Sequence, residues 1–296
     1  MLKRSILAFA CMLLLSTAAY ANHYSDTYVI PVVGHVAGAN GTMWMTDVAI
    51  RNFRTTPIDI DLIIIDSGFD TTDNVHPLVS DTVDGTVTVP ANATVLLKDI
   101  MKGYRGLSGA TGSLIIGSDL PFAVTSRTYN NSVPLGQTVP ATANFLVNSF
   151  GNADNTAFAY IPGIVDNATT RTNVGFTAGS GAANGDPMIV EITIRNATGA
   201  VVGTRSISIP SGSFMHAQVP VGSLLQAGSS LDLGSADFRV VSGEGAVVPY
   251  ASIIDNATSV ASYVMGQFPD PVNSTTSFSF RPPSVFRMLL DRGISR

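Results

Sequence analysis

The sequence predicts an all-β protein made of two tandem immunoglobulin-like β-sandwich domains related by internal duplication. Three observations lead there: a composition suited to strands and turns, apolar runs that alternate with period two, and a set of blocks that recurs once in the same order. Only 12% of residues are charged, while glycine alone occurs 27 times. That balance favours short strands and tight turns over amphipathic helices, which need Glu, Lys, Leu and Ala on a 3.6-residue period. Only LLKDIMKGY and the tail segment PPSVFRMLLDR have a locally helical pattern.

The recurrence is read block by block. YVIPVVGHV opens the first unit and AYIPGIVDN the second, which aligns Pro31 with Pro162. TDVAIRN from Thr46 matches TNVGFTA from Thr172, and PIDIDLIIID from Pro57 matches PMIVEITIRN from Pro187. GTVTVPANATVLL then matches RSISIPSGSFMHA, with Pro90 on Pro210. SLIIGSDLPFAVTSRTYNN from Ser113 lies over FRVVSGEGAVVPYASIIDN from Phe238 without a gap, and Gly136-Gln137 answers Gly266-Gln267. Each block is short, so the weight rests on the shared order.

Within the blocks, Ile58, Ile60 and Leu62 alternate with Asp59 and Asp61, and Val190 and Ile192 alternate with Ile189 and Glu191. This is the pattern of half-buried strands, whose side chains point to opposite faces in turn. About seven such strands per unit, separated by Gly-, Asn- and Pro-rich turns, suit an immunoglobulin-like sandwich. A β-barrel or jelly roll of similar strand count is the rival. The expected boundaries are a signal peptide at 1–21, domains at 22–147 and 156–268, a linker at 148–155, and a Ser/Thr/Pro-rich tail at 269–296. In the tail, Ser284 can cap a short helix with Val285, Met288 and Leu289 on one side.

MLKR followed by the uncharged SILAFACMLLLSTAAYA reads as a secretory signal, with cleavage expected after Ala21. A membrane anchor or a lipoprotein cysteine at Cys11 are the alternatives for this segment. Loss of Lys3 and Arg4 takes the formal charge from −5 to −7 and removes the single cysteine. The exported chain is therefore expected to hold no disulfide and to have little attraction for nucleic acid. No later segment resembles a membrane span. The expected location is extracellular, periplasmic or on the cell surface.

Candidate sites start with IPVVGHVAGANGTMWMTD, which gathers His35, the only tryptophan (Trp44) and Asp47. These three are the candidate ligand-binding residues. DSGFDTTDN places Asp66, Asp70 and Asp73 in one loop, where hard oxygen ligands could hold calcium, although the spacing is not that of an EF-hand. Otherwise no cofactor is expected. GSGAANG and AGANGT lack the following helix and lysine of a phosphate loop. G-x-S-x-G and S-x-x-K motifs are missing, the four histidines lie in separate blocks, and no catalytic residue is assigned. Asn-x-Ser/Thr triplets begin at Asn40, Asn92, Asn130, Asn167, Asn196, Asn256 and Asn273, and are expected as turns. A sugar platform would have to draw on Trp44, Tyr104, Tyr129, Tyr250 and Tyr263.

AGANGTMWMTDVAIRN, followed by a Pro-led strand and a V-x-V-P-A element, resembles repeat modules in exported bacterial proteins of unassigned activity. Gly38, Gly41, Thr42, Trp44, Thr46 and Asp47 match their G-x-x-G-T-x-W-x-T-D signature; the second unit keeps Thr172 with Asn173. The resemblance implies export and paired β-sandwiches, and no catalytic residue. The expected function is that of a non-enzymatic structural, adhesion or surface-interaction protein, with a protein or glycan partner at the cell surface. A carbohydrate- or calcium-dependent binding module is the alternative, and a secreted hydrolase would require a His, an acid and a nucleophile converging in one cleft.

Overall fold

The computed structural model describes residues 25–38, 41–67, 85–130, 136–139, 146–148, 158–180, 186–243 and 245–267. The signal peptide, Asp70, Asp73, and the tail with Ser284 lie outside the described residues. The described chain is all-β, in several antiparallel sheets. Its first half contributes β1 (Ser25–Ala37), β2 (Met43–Arg51), β3 (Ile58–Ser67), β4 (Gly85–Val89), β5 (Thr94–Leu97), helix α1 (Ile100–Arg105), β6 (Ala110–Asn130) and β7 (Gly136–Val139). Then follow β8 (Leu146–Asn148), β9 (Phe158–Asp166), β10 (Thr170–Ser180), β11 (Met188–Asn196) and β12 (Val201–Ile209). The last are β13 (Phe214–Pro220), β14 (Leu231–Ser242), β15 (Gly245–Asp255) and β16 (Ala261–Met265). The helical pattern of LLKDIMKGY is thus realised as the single turn-and-a-half of α1.

In the first half, the N-terminal part of β6 pairs with β3 and β1, and β4 extends the row beyond β3. Its C-terminal part pairs with β2 and β7, with β5 beyond β2. Side chains from both groups of partners meet in one core that includes Ile60, Leu62 and Leu114 with Val48, Ile50 and Leu97. In the second half the two groups are separate sheets, β12-β11-β14-β9 and β13-β10-β15-β16, with β8 on the edge of β15. Val190, Ile192 and Phe238 of the one meet Val174, Phe176 and Val247 of the other. Both layouts are sandwich-like. The period-two reading holds: Met188, Val190, Ile192 and Ile194 are buried along β11 and the residues between them are not.

The pairings of the two halves correspond. Ile58 faces Val89 as Met188 faces Ile209, and Val48 faces Ser126 as Val174 faces Ala251. Thr46 Oγ1 accepts from the Gly34 amide at 3.0 Å, and Thr172 Oγ1 accepts from Val165, the residue aligned with Gly34, at 3.3 Å. The turn after β4 closes through Ala93 N to Pro90 O at 3.2 Å, and the turn after β12 through Ser213 N to Pro210 O at 3.1 Å. Each turn carries a positive φ at the same place, 53° at Asn92 and 69° at Gly212.

One part of the alignment needs a gap. Leu114 lies between Ile30 and Ile64, whereas the matching place between Ile161 and Ile194 is held by Ala236. An ungapped overlay would put Arg239 there. The reason is local: β6 runs unbroken, while its counterpart turns between β14 and β15 through Gly243, whose φ is +74°. Asn167 and Asn196 build turns, as expected: Asn167 Oδ1 accepts from the amides of Thr169 and Thr170, and Asn196 Oδ1 from those of Thr198 and Ala200.

The halves pack on one another through a third apolar cluster, in which Val29, Ile65 and Ile115 of the first half meet Phe214 and Val248 of the second. Asp59 and Asp61 occupy the outer face of β3 and hydrogen-bond to Thr88 and Thr86 across the strand pair. Two residues further on, that face changes to Ile63 and Ile65, where the second half covers it. Among the described residues the aligned positions on β11, Thr193 and Arg195, join no such apolar contact, and Arg195 instead binds Asp237 at 2.7 Å. Thr177 Oγ1 donates to Pro31 O at 3.3 Å across the same contact.

Candidate functional site

The three candidate ligand-binding residues do not form one cluster. Val36 faces Trp44 and His35 faces Met45 in the β1–β2 ladder, so His35 and Asp47 lie on the opposite side of the strands from Trp44. On the outer side, His35 Nδ1 lies 2.9 and 2.8 Å from the two carboxylate oxygens of Asp99. Asp99 donates its amide to Asp47 Oδ1 at 2.8 Å, and Tyr129 donates its hydroxyl to the same oxygen at 3.3 Å. Asp99 stands at φ 49° just before α1, a left-handed conformation rare outside glycine. Its carboxylate holds His35 and does not cap the helix. Burial, and then the charge of Asp47, pushes the Tyr129 phenol up from its ordinary value. A hydrolytic triad would need a hydroxyl on His35 Nε2. Among the described residues no hydrogen bond to that atom is found, and the group acts as a clasp between β1, β2 and the β5–α1 corner.

Trp44 belongs to a different place. It ends the inward face of β2 that continues through Thr46, Val48 and Ile50. The signature glycine at 38 has a packing reason, since a Cβ there would stand 2.5 Å from Trp44 Nε1 and would also strike the Thr42 hydroxyl. Gly38 N bonds to Thr42 O at 2.8 Å, and Gly41 turns the chain at φ +72°. Gly38, Thr42 and Trp44 of the signature therefore pack closely against one another.

The exposed part of Trp44 helps to line a cavity of about 220 Å³ between the halves. From the first half come Val32, Val36, Gly38, Trp44 and Thr128. From the second come Arg171, Asn173, Gln218, Ser252 and Tyr263. The second set is the outer face of one sheet. Arg171 and Asn173 alternate along β10 with Thr172 and Val174, which are buried in the core, and Ser252 is the direct partner of Asn173 and of Tyr263. Along this face the residues pass from Phe214 and Val248, sealed against the first half, through His216 and Tyr250, to the polar lining.

The middle zone carries the strongest electrostatic perturbation. Tyr250 and His216 are fully buried, with the phenol 3.0 Å from His216 Nε2 and 3.5 Å from Gln218 Oε1. Among the described residues His216 Nδ1 has no hydrogen-bond partner. Burial therefore lowers the imidazole pKa to about 3 and, with Tyr263 close by, holds the Tyr250 phenol well above its ordinary value. Gly175 makes room for that ring, for a Cβ there would stand 2.7 Å from Tyr250 Cζ. Burial likewise pushes the Tyr263 phenol up to about 12, against a hydrogen bond with Ser252.

Of the candidate calcium ligands, Asp66 lies on β3 facing Gly112 in the β6 ladder, and Asp70 and Asp73 fall outside the described residues. Among the described residues no three His, Cys, Asp or Glu side chains come together as a metal site. No helix among them is long and apolar enough to cross a membrane. Sequence reasoning missed Arg171, Gln218 and Ser252 as site residues. The available signal was polarity on one face of β10 and β15, a pattern that also marks a solvent face.

No protein-family model and no curated protein matches the chain. Two solved structures overlap it at a distance. A calcium-binding mutant of Bacteroides uniformis beta-glucuronidase 2 is 8% identical with a TM-score of 0.21, the overlap covering 84% of this chain and 28% of that one. The C-terminal domain of the Streptococcus pyogenes antigen I/II-family protein AspA is 12% identical with a TM-score of 0.17, covering 82% and 99%. Overlaps this slight carry no argument about fold or activity.

Proposed function

We propose that this is an exported, non-enzymatic protein of two tandem immunoglobulin-like β-sandwiches, at 22–147 and 156–268, that arose by duplication and acts by ligand contact at the cell surface. The observation that carries the reading is the cavity where the units meet. Its wall is largely apolar and includes Trp44 and Tyr263, with Asn173, Gln218 and Arg171 among the polar residues, a mixture that can contact and orient a bound molecule. The duplication is supported by the matched threonine bonds of Thr46 and Thr172 and by the matched turns at Asn92 and Gly212. Export is supported by the basic, apolar and Ala19-Tyr20-Ala21 pattern of the first residues.

Glycan-array binding by the chain beginning at Asn22, in calcium and in chelator, tests the reading. Retention of a defined set of glycans in both conditions is the expected result. Release of cleavage products from the array would overturn the non-enzymatic reading, and retention in calcium alone would favour a calcium-dependent module.

A further inference from the structure

We propose that the cavity between the halves takes one carboxylate-bearing sugar ring, a uronic acid unit, with Arg171 receiving the carboxylate and Trp44 and Tyr263 flanking the ring. The inference rests on the reading of the chain as a ligand-contact protein and names what its site would hold.

The charge requirement comes from Arg171. Its hydrogen bond runs from Nη1 to the neutral Asn256 amide at 2.7 Å, and among the described residues it forms no ion pair. Arg171 is half-buried and shares the wall with Val32, Val36 and Ile254, and a planar carboxylate matches the guanidinium's fork of donors. The polar requirement comes from the amides of Asn173 and Gln218, which line the same space; of the other polar lining groups, the Thr128 hydroxyl is bonded to Thr46 at 2.8 Å and that of Ser252 to Tyr263. Each amide can both donate and accept, as sugar hydroxyls demand. An acidic peptide side chain would engage the arginine and leave these amides to water. Apolar ring faces would lie against the two aromatic side chains. The size requirement comes from the volume of about 220 Å³, below the roughly 300–1,000 Å³ of sites for drug-sized molecules. That space suits one ring, free or at the end of a longer chain.

The single tryptophan of the sequence lies in the lining, so its fluorescence reports on this cavity. The experiment titrates the chain from Asn22 with galacturonate, galactose and N-acetylglutamate. Expected is a saturable change with galacturonate, and binding of galactose weaker by roughly tenfold or more. Arg171→Gln should bring galacturonate down to the galactose level and leave galactose unchanged, while Arg171→Lys, which keeps the charge, should retain part of the preference. Thermal melts of both variants check that they fold. Equal binding of the two sugars, or an unchanged preference in a folded Arg171→Gln, overturns the role of the carboxylate. N-acetylglutamate binding as tightly as galacturonate overturns the sugar. A flat titration overturns the whole proposal, and if the array still retains glycans the wider ligand-contact reading survives it.

Discussion

Replacing His216 by glutamine should flatten the acid sensitivity of the fold. The imidazole is fully buried on the face that meets the first half, and its pKa falls from 6.5 to about 3. Above the higher value the ring is neutral both folded and unfolded and contributes no pH dependence. Below it the unfolded chain takes up a proton that the native state refuses, so native stability drops as the pH falls and levels off near the lower value. The slope is about 1.4 kcal/mol per pH unit, which gives roughly 2.7 kcal/mol lost by about pH 4.5 and roughly 5 kcal/mol at the plateau. Among the described residues burial is the cause of the shift and no carboxylate offsets it: Nε2 meets the Tyr250 phenol, Gln218 lies behind that phenol, and Nδ1 has no partner. Urea unfolding of wild type and His216→Gln at a series of pH values from about 7 to about 4.5 measures the difference. Carboxylates such as Asp255, whose pKa is lowered first of all by its hydrogen bonds from Thr258, titrate in both proteins and cancel. The stability gap between the two should shift in favour of the variant as the pH falls. Parallel curves would refute the reasoning, for they would mean that His216 takes its proton in the folded state.

Three other substitutions test the packing. Gly38→Ala forces a methyl group into the Trp44 edge and the Thr42 hydroxyl, and should cost about 1–3 kcal/mol, with a changed tryptophan emission maximum as its second sign. Thr46→Val and Thr172→Val each remove the acceptor of a backbone amide, at Gly34 and Val165. Each should cost about 1–3 kcal/mol in denaturant titrations, and effects of similar size would bear out the equivalence of the two threonines. Ile65→Arg with Ile115→Asp installs at the contact between halves what Arg195 and Asp237 form on the second half. It should cost about 1.5–3 kcal/mol per isoleucine, and raise the radius measured by small-angle scattering while the far-ultraviolet spectrum stays that of strands.

Much of the strand plan could be read from the residues, because a half-buried strand writes its burial into alternate positions. Ile58, Ile60 and Leu62 point in, and Asp59 and Asp61 point out to Thr88 and Thr86. Recurrence then supplied pairing partners that periodicity cannot. The three-residue difference between β6 and β14–β15 was not legible, since Ser242-Gly243 is a turn in the second half and the matching stretch of β6 runs straight. The same two-fold alternation separates His35 from Trp44: neighbours along the chain, they end on opposite sides of the strands. The cavity was hidden for another reason. Trp44 and Tyr263 lie far apart in sequence, and only the packing of one half on the other brings them to one wall. A trace of that packing was present in the change from Asp59 and Asp61 to Ile63 and Ile65, set against Thr193 and Arg195 at the aligned positions of the second half.

The contact between the halves joins one face of the first unit to a different face of the second. A head-to-tail contact of this kind has no symmetry that closes it, and in principle each further unit could add to the last, as in a fibre. The growing end of such a column would be the outer face of β11 and β14. There, where the first unit has Ile65 and Ile115, the second has Arg195 and Asp237, joined at 2.7 Å. Covering that pair would strip water from two charges, so it sets this face apart from the apolar one that the first half buries.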